Sequence, residues 1–252
     1  MKNTRNFTNL VLLRPDIARS IDAATDTRSI YYLSKRIVDI IAASILLILS
    51  APITLITAIL VKLDSEGPIF FAQERLSSRI KFKHGKLYWK KETFLCYKFR
   101  TMKTNASSEI HQNFVKSFIE NDKESLGHQQ GKNNDTMKLV DDPRITRVGK
   151  YLRKFSIDEI PQLWNVLRGE MSMVGPRPPV PYEVDHYKIW HLERFTAKQG
   201  LTGLWQITAR STVDFDGMVR LDIEYIRNQS FWLDLKIILL TPLAVISAKG
   251  AS

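Results

Sequence analysis

The sequence predicts a mixed α/β chain, mainly helical, in which a re-entrant membrane helix-break-helix precedes a domain with a small β-hairpin and interfacial amphipathic helices. Three observations predict it: the apolar run 37–61, the period-two alternation within 86–102, and helix-period apolar spacing beginning at Ser156. At 252 residues the chain buries one core of ordinary size in addition to a membrane segment. The expected layout is a polar tail over 1–33, the membrane segment over 34–62, and a domain over 63–252.

The run 37–61 reads IVDIIAASILLILSAPITLITAILV, which meets the roughly 20 apolar residues that a bilayer-crossing helix requires. No small-residue cleavage site follows it, so it reads as a permanent anchor. Lys35 and Arg36 precede the run, and Lys62, Arg75, Arg79, Lys81, Lys83 and Lys86 follow it. The positive-inside bias therefore holds both ends in the cytoplasm. Pro52 removes a backbone hydrogen bond and clashes with the carbonyl four residues back, which predicts a kink near Ser50. A straight helix over 37–51 reaches only about 22 Å, short of a hydrocarbon core of about 30 Å. Entry and exit through one leaflet satisfies charge and length together; a single kinked span is the competing reading. Asp39, near the start of the run, needs a partner at the interface, with Lys35 or Arg36 the expected one and a structural role the expected result.

The formal net charge of +11 favours an anionic partner, which charge alone leaves open among nucleic acid, lipid headgroups and phosphorylated substrates. No nucleic-acid recognition motif is present, and the membrane run argues against that partner. Cys96 is the single cysteine, so no intramolecular disulfide or thiolate zinc site forms, and a buried structural thiol is expected.

Turn chemistry at Gly67 and Pro68 opens a short apolar run, and Phe94, Cys96 and Lys98 alternate with Leu95, Tyr97 and Phe99, so a small hairpin is expected. The stretch 103–139 is poor in apolar residues and reads as a long surface excursion. Its Asn105-Ala106-Ser107 triplet matches a glycosylation site that a cytoplasmic placement voids. The tail 231–247, interrupted by Asp234, Lys236 and Pro242, suits an interfacial helix anchored by Trp232, with a buried core helix as the alternative.

Asp158 and Glu159 fall in the first turn of a helical pattern that sets Ile160, Leu163, Trp164 and Leu167 at i, i+3, i+4 and i+7. The positive end of the helix dipole there favours ionised carboxylates, as a carboxylate nucleophile or Mg²⁺ ligand requires. Acids also occupy first turns for stability alone, and this segment by itself leaves both readings open. Ser156 and Glu159 have capping-box spacing. Arg144, Arg147, Lys150, Arg153 and Lys154 surround the turn with positive charge. Downstream, Arg177 is fenced by prolines, which presets its guanidinium for a phosphate or carboxylate. The glycine-marked segment 198–206 leads to Arg210, and its glycines allow backbone N–H groups to approach an anion.

Together, YKFRTM, DPRITRVGKYLRK, SIDEIPQLWNVLRGEMSMVGPRP, GLTGLWQITAR and the SFWLDLKIILLT tail resemble the bacterial sugar transferases, the monotopic phosphoglycosyl transferases that start glycoconjugate assembly on undecaprenyl phosphate. The resemblance runs from about Ser34 to the C-terminus, less the excursion. It implies a catalytic domain on the cytoplasmic face of the bacterial inner membrane, a UDP-sugar donor and a polyprenyl phosphate acceptor. It implies Asp158 as the nucleophile that forms a phosphosugar intermediate with loss of UMP, and Glu159 as the Mg²⁺ ligand. Lys98, Arg100, Arg177 and Arg210 match positions near phosphate groups. This chain departs from the family pattern at Ser50-Ala51-Pro52, where Ser-Pro is common, at Lys198-Gln199-Gly200 in place of Arg-Pro-Gly, and at Ala209 in place of Gly. The competing reading is a non-catalytic membrane-anchored scaffold that uses its basic face to hold lipid headgroups or assembly partners.

Overall fold

The fold is taken from a computed structural model that describes residues 25–83, 86–104, 109–122, 142–209 and 213–246. Arg210 and the Asn105 triplet lie outside the described residues.

Helix α1 (Thr25–Asp64) carries the apolar run and starts inside the segment expected to be polar tail. Its outward residues, among them Ile41, Ile45, Ile48, Leu49, Leu55 and Ile56, are exposed, as suits a bilayer environment. Helical structure continues through Pro52. Proline removes only one hydrogen bond of the ladder, and the Ser50 hydroxyl donates to the Leu47 carbonyl at 3.3 Å one turn back.

Both ends of α1 are tied to the same body. At the entry end, Lys35 is buried and bridges to Asp234 at 2.8 Å, with the Tyr225 hydroxyl at 3.0 Å. Arg36 donates to the carbonyls of Val166 and Leu167, both at 2.6 Å. Asp39 accepts from the Ser172 hydroxyl at 2.9 Å and from the Met173 backbone at 2.8 Å. The expected pairing of Asp39 with Lys35 or Arg36 is thus replaced by neutral donors, because both cations are engaged elsewhere. At the exit end, Val61 packs with Phe99 and Leu152, and the Asp64 carboxylate accepts from Val148 N at 2.9 Å.

Strands β1 (Phe70–Lys83) and β2 (Lys86–Phe99) form the expected hairpin, paired antiparallel from Phe70↔Phe99 to Lys83↔Lys86. Cys96 is buried in the main core with Phe94, Leu163, Val166, Met171 and Tyr225, and burial pushes its thiol up. Helix α2 (Glu109–Glu120) lies within the predicted surface excursion, yet it buries Phe114, Val115, Phe118 and Ile119 against Phe215, Met218 and Val219. Those four apolar residues at helical spacing were diluted by the polar sequence on either side.

Helix α3 (Arg147–Lys154), capped by the Thr146 hydroxyl on Gly149 N, leads into a 3₁₀ turn (Ile157–Glu159) and then α4 (Gln162–Leu167). Strands β3 (Ser172–Val174) and β4 (Gly200–Thr202) pair in parallel. The glycines expected to admit an anion serve this pairing instead. Gly200 N donates to Pro176 O at 2.8 Å and Gly175 N to Thr202 O at 2.9 Å, in a crossing where a Cβ on Gly200 would stand 2.1 Å from Gly175 N. Helix α5 (Pro181–Val184), a 3₁₀ segment (Ile189–Thr196), α6 (Leu204–Thr208) and α7 (Phe215–Arg227) complete the domain.

Helix α8 (Phe231–Ile246) satisfies both readings of the tail. Asp234 and Ile237 face the core, while Trp232, Leu239 and Leu243 stand exposed beside those of α1.

Candidate active site

The carboxylate pair sits on the 3₁₀ turn, entered through Ser156 at φ 55°. A left-handed serine costs on the order of 1–3 kcal/mol and persists only where the surroundings impose it, a pattern typical of functional sites. Ser156 makes no side-chain cap, which corrects the capping-box expectation. The reason is on the other partner: Glu159 is drawn to Lys98, whose ammonium lies 2.7 Å from Oε1. The same ammonium is 3.9 Å from Asp158 Oδ2. Asp158 itself is 8% exposed, so its carboxylate is largely sheltered from bulk water.

The register between this turn and β2 is set by Asn165, fully buried on α4. Its Oδ1 accepts from Tyr97 N at 3.1 Å and its Nδ2 donates to Leu95 O at 2.7 Å, so the side chain acts as a short third strand beside β2. Lys98, the residue after Tyr97, is thereby held opposite the acids.

Positive charge surrounds the pair from several elements. Burial raises the Glu159 carboxyl, but Lys98, Arg177 and Arg75 outweigh it and hold the group at about 2, ionised at neutral pH. Arg153, in the last turn of α3, is pushed down by burial, with Asp158 its first opposing charge. Arg75 on β1 is buried, pushed down by burial and by Arg177, and its Nε has no hydrogen-bond partner among the described residues.

Arg177 makes no side-chain hydrogen bond or ion pair among the described residues, and its loop is held by its backbone. Arg75 Nη1 donates to Pro178 O at 2.5 Å, Arg194 Nη2 donates to Arg177 O at 3.4 Å, and Leu76 N donates to Pro179 O at 2.9 Å. Arg194 is itself fixed by Asp222 at 2.7 Å and by the Tyr187 hydroxyl at 2.8 Å.

Arg100 has a different task from the phosphate contact expected of it. Its guanidinium donates to the carbonyls of Val61 at 3.2 Å and Ser65 at 2.6 Å, and also to that of Glu66. These are the orphan acceptors at the C-terminal end of α1. Gly67 sits there at φ 122°, a backbone conformation that L side chains rarely adopt, and a Cβ would also crowd the Arg100 guanidinium. The structure therefore gathers Lys98, Asp158, Glu159 and Arg177, and sends Arg100 to the membrane helix.

Sequence reasoning missed Arg75, Asn165 and His111. Arg75 had been counted as a flanking charge of the membrane run, and only its place in a strand shows that it points inward. His111 on α2 lies 2.6 Å from the Tyr182 hydroxyl, and burial, then Arg75 and Arg177, push it down to about 4. Nothing in the polar stretch around it signalled that location.

For Mg²⁺, no group of three or more His, Cys, Asp and Glu side chains lies together among the described residues. Asp158 and Glu159 are the adjacent carboxylates that would hold such an ion, with water and substrate phosphates completing its shell; the Lys98 ammonium stands on Glu159 here.

Residues 30–248 match the family described as Bacterial sugar transferase. The chain is 39% identical over 222 residues to "Galactosyl transferase CpsE" of Streptococcus agalactiae, covering 88% of this chain and 44% of that protein. It is 38% identical over 217 residues to "Undecaprenyl-phosphate galactose phosphotransferase" of Salmonella typhimurium, covering 86% of this chain and 41% of that protein. The chain thus spans less than half the length of these two relatives. With "Exopolysaccharide production protein ExoY" of Sinorhizobium fredii it shares 38% identity over 224 residues, 89% of this chain and 90% of the relative. On this match, which takes in α1, the hairpin and the carboxylate turn alike, the chain belongs to the bacterial sugar transferase family.

Proposed function

We propose that this protein transfers a sugar-1-phosphate from a UDP-sugar to a polyprenyl phosphate, such as undecaprenyl phosphate, at the cytoplasmic face of the inner membrane. The product starts an exopolysaccharide, capsule, O-antigen or glycoprotein glycan. One observation carries the reading: a sheltered carboxylate pair ringed by Lys98, Arg75, Arg153 and Arg177, on a body bound to both ends of an apolar helix. The relatives named as undecaprenyl-phosphate galactose and glucose phosphotransferases support the substrate class.

In the proposed sequence, an Asp158 carboxylate oxygen attacks the sugar-bearing phosphorus of the donor. The bond to the bridging oxygen breaks and UMP leaves with that oxygen. A phosphate oxygen of the polyprenyl acceptor then attacks the same phosphorus and breaks its bond to Asp158, which returns as carboxylate. Phosphoryl transfer depends on positioning and charge neutralisation, and Arg177, Arg75 and Arg153 supply fixed positive charge for it. Lys98 holds Glu159 ionised and keeps the two acids in register. Mg²⁺, when bound at Glu159, supplies further neutralisation of the diphosphate. A nucleophile beside the bilayer serves the soluble donor and the lipid acceptor at one site in turn.

The test is intact and peptide mass spectrometry of the purified full chain incubated with a panel of UDP-sugars and Mg²⁺ but no acceptor. The expected result is UMP release together with a sugar-phosphate adduct on the peptide containing Asp158, discharged by polyprenyl phosphate. An Asp158→Asn variant that retains full turnover sinks the mechanism, and a chain inert with every donor returns the protein to the scaffold reading.

A further inference from the structure

Three consecutive carbonyls fasten the segment that carries Arg177. The Arg177 carbonyl accepts from Arg194 Nη2, the Pro178 carbonyl from Arg75 Nη1 and the Pro179 carbonyl from Leu76 N. Two of these donors belong to β1 and the third to the 3₁₀ segment 189–196. Prolines at 176, 178 and 179 restrict the backbone further. The Arg177 guanidinium has no hydrogen bond or ion pair of its own among the described residues, so nothing at its far end corrects a displacement at its root.

Arg194 is held far more firmly than one weak contact to a carbonyl requires. A guanidinium has five N–H donors, and four are engaged here. Nε and Nη2 both donate to Asp222 Oδ2, at 2.8 and 2.7 Å, Nη1 donates to the Tyr187 hydroxyl at 2.8 Å, and Nη2 also reaches the Arg177 carbonyl at 3.4 Å. The group lies 5.9 Å from the ring centroids of both Tyr187 and Phe215. Asp222 and Arg194 are buried, and Asp222 Oδ1 has no hydrogen-bond partner among the described residues. A buried ion pair is weak ground for stability by itself, and an orphaned buried oxygen is a further cost. What the pair gains is a guanidinium fixed in its plane with one donor turned to Arg177.

The backbone of Arg194 is fastened as well. Gln199, fully buried, donates from Nε2 to the Arg194 carbonyl at 3.0 Å and accepts at Oε1 from Ser78 N of β1 at 2.6 Å. A closed circuit results, from β1 through Gln199 and Arg194 to the Arg177 segment, and back to β1 through Arg75 and Leu76.

We propose that Arg194, braced by Asp222 and Tyr187, is a positioning residue that aims the Arg177 guanidinium at the phosphates of the donor. The identity of that anion rests on the transfer reading above; the bracing of Arg177 does not.

The test is a double-mutant cycle of Arg194→Lys with Arg177→Ala in the full chain, read by two measurements. One is calorimetric binding of inorganic pyrophosphate without Mg²⁺, and the other is kcat/KM for UMP release from a UDP-sugar. Arg194→Lys keeps the charge and loses the planar fork. Pyrophosphate affinity and kcat/KM are each expected to fall about tenfold in the otherwise unaltered chain, and by less than about twofold once Arg177 is alanine. A residue that only stabilises the fold acts alike in both backgrounds, so equal losses overturn the proposal. Full affinity in Arg194→Lys, or no pyrophosphate binding by the unaltered chain, also overturns it. Tyr187→Phe removes one brace and keeps the ring; its cycle shows the same non-additivity at smaller amplitude, and decides the matter should Arg194→Lys fail to fold. Non-additive pyrophosphate binding in a chain that releases no UMP from any donor refutes the transfer reading and leaves the positioning role standing.

Discussion

The Lys98 ammonium lies 2.7 Å from the Glu159 carboxylate, a contact made across the junction of β2 and the 3₁₀ turn. The same ammonium lies 3.9 Å from Asp158, so one cation serves both acids and Glu159 is the nearer.

That contact predicts a pH response. The folded Glu159 sits at about 2, below its ordinary 4.5, so its ionised form contributes stability that is present above about 4.5 and lost as pH falls toward 2. Burial already pushes Glu159 up, and Lys98→Met removes the first cation opposing it. The acid limb of the pH–rate profile for UMP release is expected to move up by about one unit or more. An unmoved limb separates Glu159 from the rate.

Asp158→Asn keeps the size of the side chain and removes the nucleophilic oxygen. Turnover is expected to fall by about 10³-fold or more, with unchanged thermal unfolding. Glu159→Gln is expected to form the adduct slowly and to lose its response to Mg²⁺ titration, whereas Asp158→Asn forms no adduct at any Mg²⁺ concentration.

Arg100→Ala unties the carbonyls of Val61, Ser65 and Glu66 at the end of α1. Charged hydrogen bonds of this kind contribute about 1.5–3 kcal/mol each, so a loss of roughly 3 kcal/mol in detergent unfolding is expected. Donor KM stays near that of the unaltered protein. A large KM rise with intact stability would return Arg100 to the phosphate site.

Lys35→Met leaves Asp234 buried beside two tyrosine hydroxyls without its cation. Breaking one partner of a buried pair costs about 3–5 kcal/mol, and Lys35→Met/Asp234→Leu recovers much of it. Thermal unfolding of both variants checks this; additivity of the two changes refutes coupling.

His111 has a folded value of about 4 against its ordinary 6.5, so the unfolded chain takes the proton first. Stability is expected to fall as pH drops from 6.5 toward 4, by up to about 3 kcal/mol from this group. In His111→Gln that part of the slope disappears, and an unchanged slope assigns it to other groups.

Much of this architecture was legible because it rests on short-range pattern. Period-two alternation around Cys96 marked the hairpin, and continuous apolar sequence marked α1. The tail's Asp234 and Lys236 marked an interrupted apolar helix, though not that Asp234 would turn inward to Lys35. What stayed hidden depends on contacts distant in sequence. Arg100 and Lys98 are two residues apart on the same motif, and only the end of α1 packing beside Phe99 separates their tasks. Asn165 looked like a polar residue on an amphipathic helix, and its bonds to Leu95 and Tyr97 need the strand to be in place. Helix α2 was lost in a polar stretch because Phe114 and Phe118 find their partners a hundred residues later, on α7.

The anchoring of α1 at both ends carries a consequence for the geometry of transfer. Lys35, Arg36 and Asp39 clamp one end, and Arg100 with Val61 clamps the other, while the carboxylate turn lies on the clamped body between them. The helix cannot tilt without carrying the carboxylates along. Under the proposed function their height above the lipid is therefore a built-in dimension of the protein, and a lipid-borne phosphate would meet them at a level measured from the bilayer.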